Sequence, residues 1–267
     1  MKSENETDGD AFSRMTPGSQ TLARGLGLLR VFLGGAPMLS NAQIAERTGV
    51  PKATVSRLTH SLVNEGYLEY DPASRGYRLA PVCLSLGRSF EVGRTELATV
   101  LPLLREVAVS QRVNVSLSAA DGLSMVYLAT IREGRGPLRR TAAPGTRFAM
   151  ETSSIGHAWL AALQAPRRKT VLAALADECG AEWPRYSAAI DESIALYASR
   201  GYCRSGAMLG AEGIATAVAG PYGVIYTPGI SFSAADNDYT TLIAHFVPVL
   251  LGLADAMRAA WADFAAA

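Results

Sequence analysis

The stretch from residue 40 to residue 79 constrains the fold most, because it combines two helix signals with a tight turn. Ser40 is a helix-capping residue ahead of residues 41–48, and Gly49 accepts the left-handed conformation that ends a helix. Pro51 then stands where a second helix begins, at a position whose missing N–H costs nothing. The spacing predicts two short helices around a glycine turn, which is the helix-turn-helix arrangement.

The predicted second helix, residues 52–65, has two different faces. Val55, Leu58 and Leu62 recur at helical spacing and predict the buried face. The opposite face carries polar and basic side chains of the types that contact bases and phosphates: Lys52, Thr54, Ser56, Arg57 and His60.

Two short strands are predicted after this helix, at residues 67–70 and 76–79. The sequence between them, DPASR, is strong turn chemistry. A helix-turn-helix followed by a hairpin is a winged helix, in which the second helix enters the major groove of DNA. The wing tip, Ser74 and Arg75, would then reach the backbone or the minor groove. A winged helix that serves only protein contacts remains an alternative.

Charge is unevenly distributed along the 267 residues. Residues 11–94 hold ten Lys or Arg and five Asp or Glu, a net charge of +5. Residues 95–267 hold fourteen basic and fifteen acidic side chains, a net charge of −1. A basic N-terminal part on a neutral body favours nucleic-acid binding by that part alone.

Scattered cysteines and histidines argue against metal and disulfide chemistry. The chain has three of each, with no C-x-x-C pair and no metal-ligand spacing, so no cofactor is predicted. No apolar run is predicted to be long enough to cross a bilayer, and residues 1–18 lack the apolar core of a signal peptide. We expect a disordered leader at residues 1–18, no membrane partner and a cytoplasmic protein.

Two further helices are predicted around the winged helix. Residues 20–33 form an amphipathic helix on which the helix-turn-helix packs. Residues 82–92 follow the wing and are interpreted as a linker helix. Their apolar side chains are too many for a free surface, so we expect them to pack against a second subunit.

From residue 113 the hydrophobic period changes to two, which predicts strands. The whole of residues 95–267 is interpreted as an antiparallel sheet flanked by helices, an α+β sensor-like domain. The predicted strands are residues 113–118, 125–131, 137–141, 213–219 and 224–232, and the last helix is predicted at residues 236–264.

A loop of small polar residues, Thr152, Ser153 and Ser154, precedes a predicted helix at residues 155–163. A helix N-terminus presents free backbone N–H groups, which favour an anion. An ordinary helix cap has the same sequence, so that alternative stays open.

These motifs together resemble the isocitrate-lyase-regulator (IclR) family of bacterial transcription factors. The resemblance rests on TGVPKATVSRLTHSLVNEGYL, on GYRLAP after the wing, on GHAWLAAL, on SRGY and on GIATAV with ISFS. It implies a winged helix-turn-helix domain at residues 19–80, a linker helix at residues 81–94 and a GAF-like effector-binding domain at residues 95–267. It also implies dimers or dimers of dimers that bind palindromic operators on double-stranded DNA.

The resemblance also implies site residues. The DNA contacts would be Lys52, Thr54, Ser56 and Arg57, with Arg75 on the wing. The carboxylate of a small acid would bind the backbone amides of Ser154 and Ile155, together with Ser231 and Ser233 on the last strand. Family members carry a cysteine and an aspartate where this chain has Gly213 and, near the second position, Ser205. We therefore expect a roomier, less polar pocket and a larger organic or aromatic acid as effector.

The sequence thus predicts a ligand-responsive DNA-binding regulator of a catabolic operon, without catalytic or metal-binding residues. Two alternatives remain open. One is an enzyme that processes a small acid and carries a winged helix, although no nucleophile elbow or phosphate loop is present. The other is a DNA-binding repressor that responds to no ligand.

Overall fold

The computed structural model describes residues 18–134, 143–208, 211–233 and 239–265. The chain forms two compact units that divide after Arg94. The predicted leader lies outside the described residues except for Gly18, and the strand predicted at residues 137–141 lies outside them entirely.

Three helices and a hairpin build the first unit. Ser40 accepts a hydrogen bond from the N–H of Gln43, whose side chain in turn accepts from the N–H of Ser40, so a full capping box starts the second helix. Gly49, with φ of 67°, ends that helix. The helices are α1 (Gln20–Arg30), α2 (Asn41–Thr48) and α3 (Lys52–Asn64).

The hairpin consists of β1 (Leu68–Asp71) and β2 (Gly76–Leu79), paired antiparallel. An isolated bridge from Leu39 to Tyr77 adds a third chain segment beside β2. The predicted winged helix-turn-helix is therefore confirmed, with the first helix ending at Arg30 in a short 3-10 turn rather than at residue 33. Its buried core contains Leu28, Phe32, Leu39, Ile44, Ala45, Val55 and Leu68.

A fourth helix, α4 (Val82–Gly93), follows the wing and buries none of its side chains within the chain. Its apolar side chains are exposed over large fractions of their surface: Leu84 80%, Leu86 53%, Phe90 42% and Val92 65%. Such a run of exposed apolar side chains is unusual for an isolated surface helix.

The second unit is built on one antiparallel sheet with the strand order β5-β4-β3-β9-β7-β6, and β8 pairs with β9 outside this path. This confirms the predicted α+β class. Its strands are β3 (Asn114–Asp121), β4 (Ser124–Arg132), β5 (Arg147–Ala149), β6 (Cys203–Met208), β7 (Ala211–Ala215), β8 (Val218–Ala219) and β9 (Ile225–Ser233).

Helices form two hydrophobic cores with this sheet. The larger core joins strand residues such as Val115 and Ile230 to α5 (Thr95–Gln111) and α9 (Tyr239–Ala260). The second joins α6 (Ser154–Ala162), α7 (Ala165–Cys179) and α8 (Trp183–Arg200) to other strand residues such as Cys203. The sheet therefore has helices on both faces, and the site described below lies beneath the N-terminus of α6.

Two details differ from the sequence-based expectations. The strand predicted at residues 213–219 is divided into β7 and β8. Between them the Thr216 N–H donates to the Pro228 carbonyl at 3.2 Å, and Pro228 has no N–H to donate in return. Among the described residues, one helix, Thr240–Ala260, is long and apolar enough to cross a membrane, so the prediction that no apolar run reaches that length is wrong. Phe246, Leu250 and Met257 of this helix belong to the buried core, as expected of a core helix.

Candidate functional site

Helix α3 presents the residues predicted to contact DNA. Val55 and Thr59 are buried, and the Thr59 hydroxyl donates to the Val55 carbonyl at 3.0 Å. On the other side of the helix, Lys52, Ser56 and Arg57 are exposed and Thr54 is half-buried. The packing therefore fixes one face of α3 in the core and leaves its basic face available.

A groove of about 620 Å³ runs along this basic face. Arg24 of α1 lines it together with Arg57 and His60 of α3. The sequence analysis does not include Arg24 among the predicted DNA contacts, because the packing of α1 on α3 is not visible in a local pattern. The structure places it on the same surface as Arg57.

The wing tip is held by Asp71. Its carboxylate accepts hydrogen bonds from the N–H groups of Ala73 at 3.0 Å and Ser74 at 3.3 Å, and from the Ser74 hydroxyl. These hydrogen bonds lower the pKa of Asp71. The bond from the Ser74 hydroxyl has the largest effect, and the N–H groups add to it. Arg75 follows with φ of 51° and an exposed side chain. The turn thus presents Arg75 to solvent at the end of the hairpin.

The second unit contains a small cavity of about 70 Å³ between the sheet and the N-terminus of α6. Ser154, Ile155 and Ser231 line it, as predicted. Ser233 lies two residues further along β9, opposite Ala211, and is not among the cavity-lining residues in the described part of the chain. The structure therefore brings three of the four predicted effector contacts together.

The loop before α6 is held close to the helix. Ser153 accepts a hydrogen bond from the N–H of Gly156 at 3.2 Å and donates its hydroxyl to the carbonyl of Ala149 at 2.7 Å. A helix leaves its first N–H groups without intrahelical acceptors. At α6 these groups belong to Ser154 and Ile155, both of which line the cavity. The local sequence therefore places amide donors at the cavity.

Gly213 and Ser205 stand where the resemblance leads us to expect a cysteine and an aspartate. The two positions lie side by side in the sheet. Ser231, Gly213 and Ser205 are register partners on β9, β7 and β6. A Cβ atom at Gly213 would lie 3.1 Å from the Ser154 Oγ and 3.5 Å from the Ser205 Oγ. The missing side chain therefore leaves space directly beneath the N-terminus of α6.

Two charged residues that the sequence analysis did not name, Arg132 and Glu212, also line the cavity. The expectation of a roomier, less polar pocket than in other family members stays a prediction. Burial lowers the pKa of Arg132, and the neighbouring Tyr127 phenol opposes that shift. Burial likewise raises the pKa of Tyr127, while a hydrogen bond to Ser116 opposes the rise.

A wider groove of about 1100 Å³ adjoins the cavity. Thr152, Ser205 and Glu212 line both spaces. The small cavity has less volume than the roughly 150 Å³ that holds a benzene molecule in an engineered protein core. A ring-sized ligand therefore needs room on the groove side.

His157 has a structural environment. Its Nε2–H donates to the Glu151 carbonyl at 2.8 Å, which leaves Nδ1 as the acceptor for the Ser193 hydroxyl at 2.8 Å. The ring is buried, and this burial lowers its pKa, although the bond to Glu151 opposes the shift. His157 thus ties α6 to α8.

An exposed basic helix on a winged unit, joined to an α+β unit with a polar cavity, defines a class: DNA-binding regulators with a sensor domain. Residues 21–72 match the family model for the IclR helix-turn-helix domain. The chain is 34% identical over 197 residues to the HTH-type transcriptional regulator TsaQ1/TsaQ2 of Comamonas testosteroni, covering 72% of this chain and 69% of that one. The chain belongs to the IclR family of transcriptional regulators.

Solved structures agree with this assignment. An IclR family transcriptional regulator from Brucella abortus superposes with a TM-score of 0.83 at 28% identity, covering 93% of this chain and 96% of that one. An IclR homologue from Microbacterium hydrocarbonoxydans in complex with 4-hydroxybenzoate has the same fold, with a TM-score of 0.67 at 20% identity over 91% of this chain and 99% of that one.

Proposed function

We propose that this regulator controls a catabolic operon by binding a palindromic operator as a homo-oligomer and by sensing a small organic acid in the cavity of the second unit. The observation that carries the proposal is the pairing, in one chain, of an exposed basic α3 with a small cavity that contains helix-terminal amides. Binding to chromosomal DNA places the protein in the cytoplasm.

DNA binding is assigned to the exposed face of α3 and to the wing. Lys52, Thr54, Ser56 and Arg57 enter the major groove, and Arg75 contacts the backbone or the minor groove. The support is that Lys52, Ser56 and Arg57 are exposed and Thr54 is half-buried, whereas Val55 and Thr59 of the same helix are buried in the core.

Effector binding is assigned to Ser154, Ile155, Ser231 and Ser233. Three of these residues line the cavity, and Ser233 follows at the end of the same strand. The Tyr127 and Phe148 rings, whose centroids lie 4.4 Å apart, also line it and offer an apolar surface for an aromatic acid. The 4-hydroxybenzoate in the Microbacterium protein makes hydroxylated aromatic acids a reasonable first choice of ligand.

Self-association is assigned to α4. Its exposed apolar residues, Leu84, Leu86, Phe90 and Val92, form a surface that a second copy of this chain would cover. A two-fold dimer matches a palindromic operator, since each winged helix then meets an equivalent half-site. The proposal covers two assemblies, a dimer and a dimer of dimers.

The test combines operator binding with effector binding. An operator is first selected from random duplexes by repeated binding to the purified chain. Thermal unfolding is then followed with aliphatic and aromatic acids for the wild type and for Ser231→Ala/Ser233→Ala. A ligand at a hundredfold excess over Kd stabilises by about 2.7 kcal/mol. We expect one acid class to stabilise the wild type but not the variant, and to change operator affinity; the absence of any stabilising acid would refute the effector assignment.

A further inference from the structure

Helix α1 carries exposed leucines that the core of the first unit does not use. Leu22 is 62% exposed, Leu26 is 52% exposed and Leu29 is half-buried. At about 100° per residue, Leu26 and Leu29 lie about 40° and about 20° from Leu22 around the helix axis. Leu33, which is 45% exposed, follows in the 3-10 turn after the helix. These four residues are called the leucine stripe below.

The leucine stripe has the spacing of a helix-packing surface. Its members follow one another at intervals of four, three and four residues, which is the repeat of a coiled-coil seam. Single exposed apolar side chains are common on protein surfaces, whereas a contiguous apolar patch marks an interaction site. The leucine stripe is therefore suited to a second helix.

The leucine stripe points away from the core and from the groove beside α3. Leu28, which is buried in the core, lies about 120° from Leu22 around the axis of α1. Arg24, which lines the groove, lies about 160° from Leu22. A helix packed on the leucine stripe therefore leaves the DNA-contacting face of α3 open.

Helix α4 has exposed apolar side chains on two opposite sides. Leu86 and Phe90 are about 40° apart on one side, and Leu84 and Val92 are about 80° apart on the other. The midpoints of these two pairs lie about 180° apart around the helix axis. One neighbouring helix covers one side of α4 and leaves the other side in water. The surface of α4 therefore needs two apolar neighbours.

The size of the exposed surface leads to the same conclusion. A large apolar side chain offers at most about 120 Å² for burial, so the four exposed apolar residues of α4 offer at most about 500 Å². A stable interface takes about 800 Å² from each partner. The leucine stripe adds four further side chains and an area of the same order. The two surfaces together approach the size that a stable dimer needs.

The other exposed large apolar residues described in the first unit do not offer a helical surface. They are Tyr70 and Leu79, which belong to the β1–β2 hairpin. Among the described residues of this unit, the leucine stripe is therefore the helical surface that matches the uncovered side of α4.

We infer that two copies of this chain associate with the leucine stripe of each copy packed against α4 of the other. A two-fold axis makes this contact twice and leaves both copies of α3 free for the two halves of an operator. The inference rests on the proposed function, because it takes α4 as a self-association surface. It adds the second surface of the contact and the arrangement of the two helices.

Sedimentation equilibrium of the full chain gives the dimer dissociation constant. Leu22→Ser/Leu26→Ser should raise this constant at least tenfold, because two buried apolar contacts are lost in each copy. Leu101→Ser/Val109→Ser is the matched control, since these residues of α5 are 39% and 55% exposed and lie outside both helices. The control should stay within about threefold of the wild type. Circular dichroism verifies that each variant is folded.

Cross-linking tests which helices meet. Cys83 and Cys179, the two cysteines that are not fully buried, are first replaced by serine. Two copies with different tags are then co-expressed, one with Leu26→Cys and the other with a cysteine in α4. The α4 cysteine replaces Leu84 in one experiment and Leu86 in another, because these positions lie on opposite sides of the helix. A short bis-maleimide reagent joins cysteines that lie close together.

We expect the two differently tagged copies to become joined with one of the two α4 positions, which identifies the side of α4 that meets α1. Arg24→Cys, on the far side of α1 from the leucine stripe, is the matched control and should give no joined copies with either position. This assay needs a single exposed substitution in α1, so it remains valid if Leu22→Ser/Leu26→Ser fails to fold.

The outcomes separate the inference from the proposed function. The inference is wrong if Leu22→Ser/Leu26→Ser dimerises as the wild type does while Leu84→Ser/Phe90→Ser does not, and self-association through α4 then stands. It is also wrong if Leu26→Cys is joined to neither α4 position, or is joined only to Leu26→Cys of another copy. A wild type that sediments as a monomer at every concentration refutes both the self-association assignment and the inference.

Discussion

Replacing Gly156 by alanine should destabilise the second unit, although the same change in a helix ordinarily stabilises. A Cβ at this position would lie 2.6 Å from the Met150 Cα and 2.7 Å from its carbonyl carbon. These are backbone atoms, so no side-chain rotation relieves the overlap. The helical gain from Gly to Ala is about 0.5–1 kcal/mol, whereas forced overpacking costs about 1–3 kcal/mol. With the cost at its upper end, we expect a net loss of about 2 kcal/mol.

Thermal unfolding measures this loss against an internal control. For a unit of this size, about 1 kcal/mol corresponds to roughly 2–4 °C in Tm. Gly156→Ala should therefore lower the Tm of the second unit by roughly 4–8 °C. Gly252 occupies an exposed position of α9 with nothing within 4 Å of an added Cβ, so Gly252→Ala should raise stability slightly. If both variants shifted Tm upward alike, the close approach of Met150 to α6 would be refuted.

Three further results are expected. Arg57→Met should weaken operator binding by about 1–3 kcal/mol and relax specificity at one base if Arg57 reads a base edge, or weaken all sequences alike and reduce the salt slope if it contacts phosphate; Arg105→Met in the second unit serves as the control in the same titration. Leu84→Ser/Phe90→Ser should weaken self-association at least tenfold in sedimentation equilibrium, since each buried apolar side chain contributes about 1.5–3 kcal/mol, whereas an unchanged constant would remove α4 from the dimer contact. Because burial lowers the folded-state pKa of His157, the neutral ring is favoured in the native state, so its stability contribution is complete above pH 6.5 and declines as pH falls below that value; urea unfolding from pH 8 to pH 5 should show a smaller decline for His157→Gln than for the wild type.

Local chemistry made the first unit predictable from sequence. Ser40 and Gly49 each act on backbone groups within a few residues of themselves, so their effect does not depend on distant packing. The same holds for Pro51 before α3 and for the Asp71 turn. The position of Arg24 in the same groove as Arg57 could not be predicted from the sequence. It depends on how α1 packs against α3, which the periodicity of either helix does not encode.

Only some of the residues that line the cavity could be predicted, for a related reason. The Ser153 cap and the two serines of β9 are local or two-residue patterns, and the resemblance linked them to an effector. Arg132 and Glu212 lie on strands that meet the same cavity only through the pairing of β4 with β3, β3 with β9 and β9 with β7.

That pairing changes the chemistry inferred from the site. Taken alone, Gly213 and Ser205 indicate a pocket that has lost polar groups. In the folded sheet, the space above Gly213 adjoins the hydroxyls of Ser154 and Ser205, and Arg132 lines the same cavity from two strands beyond Ser231. The loss of side chains therefore does not leave a site without polar groups. It leaves space beside these groups, so the departures that argue against a very small oxo-acid favour a larger acid.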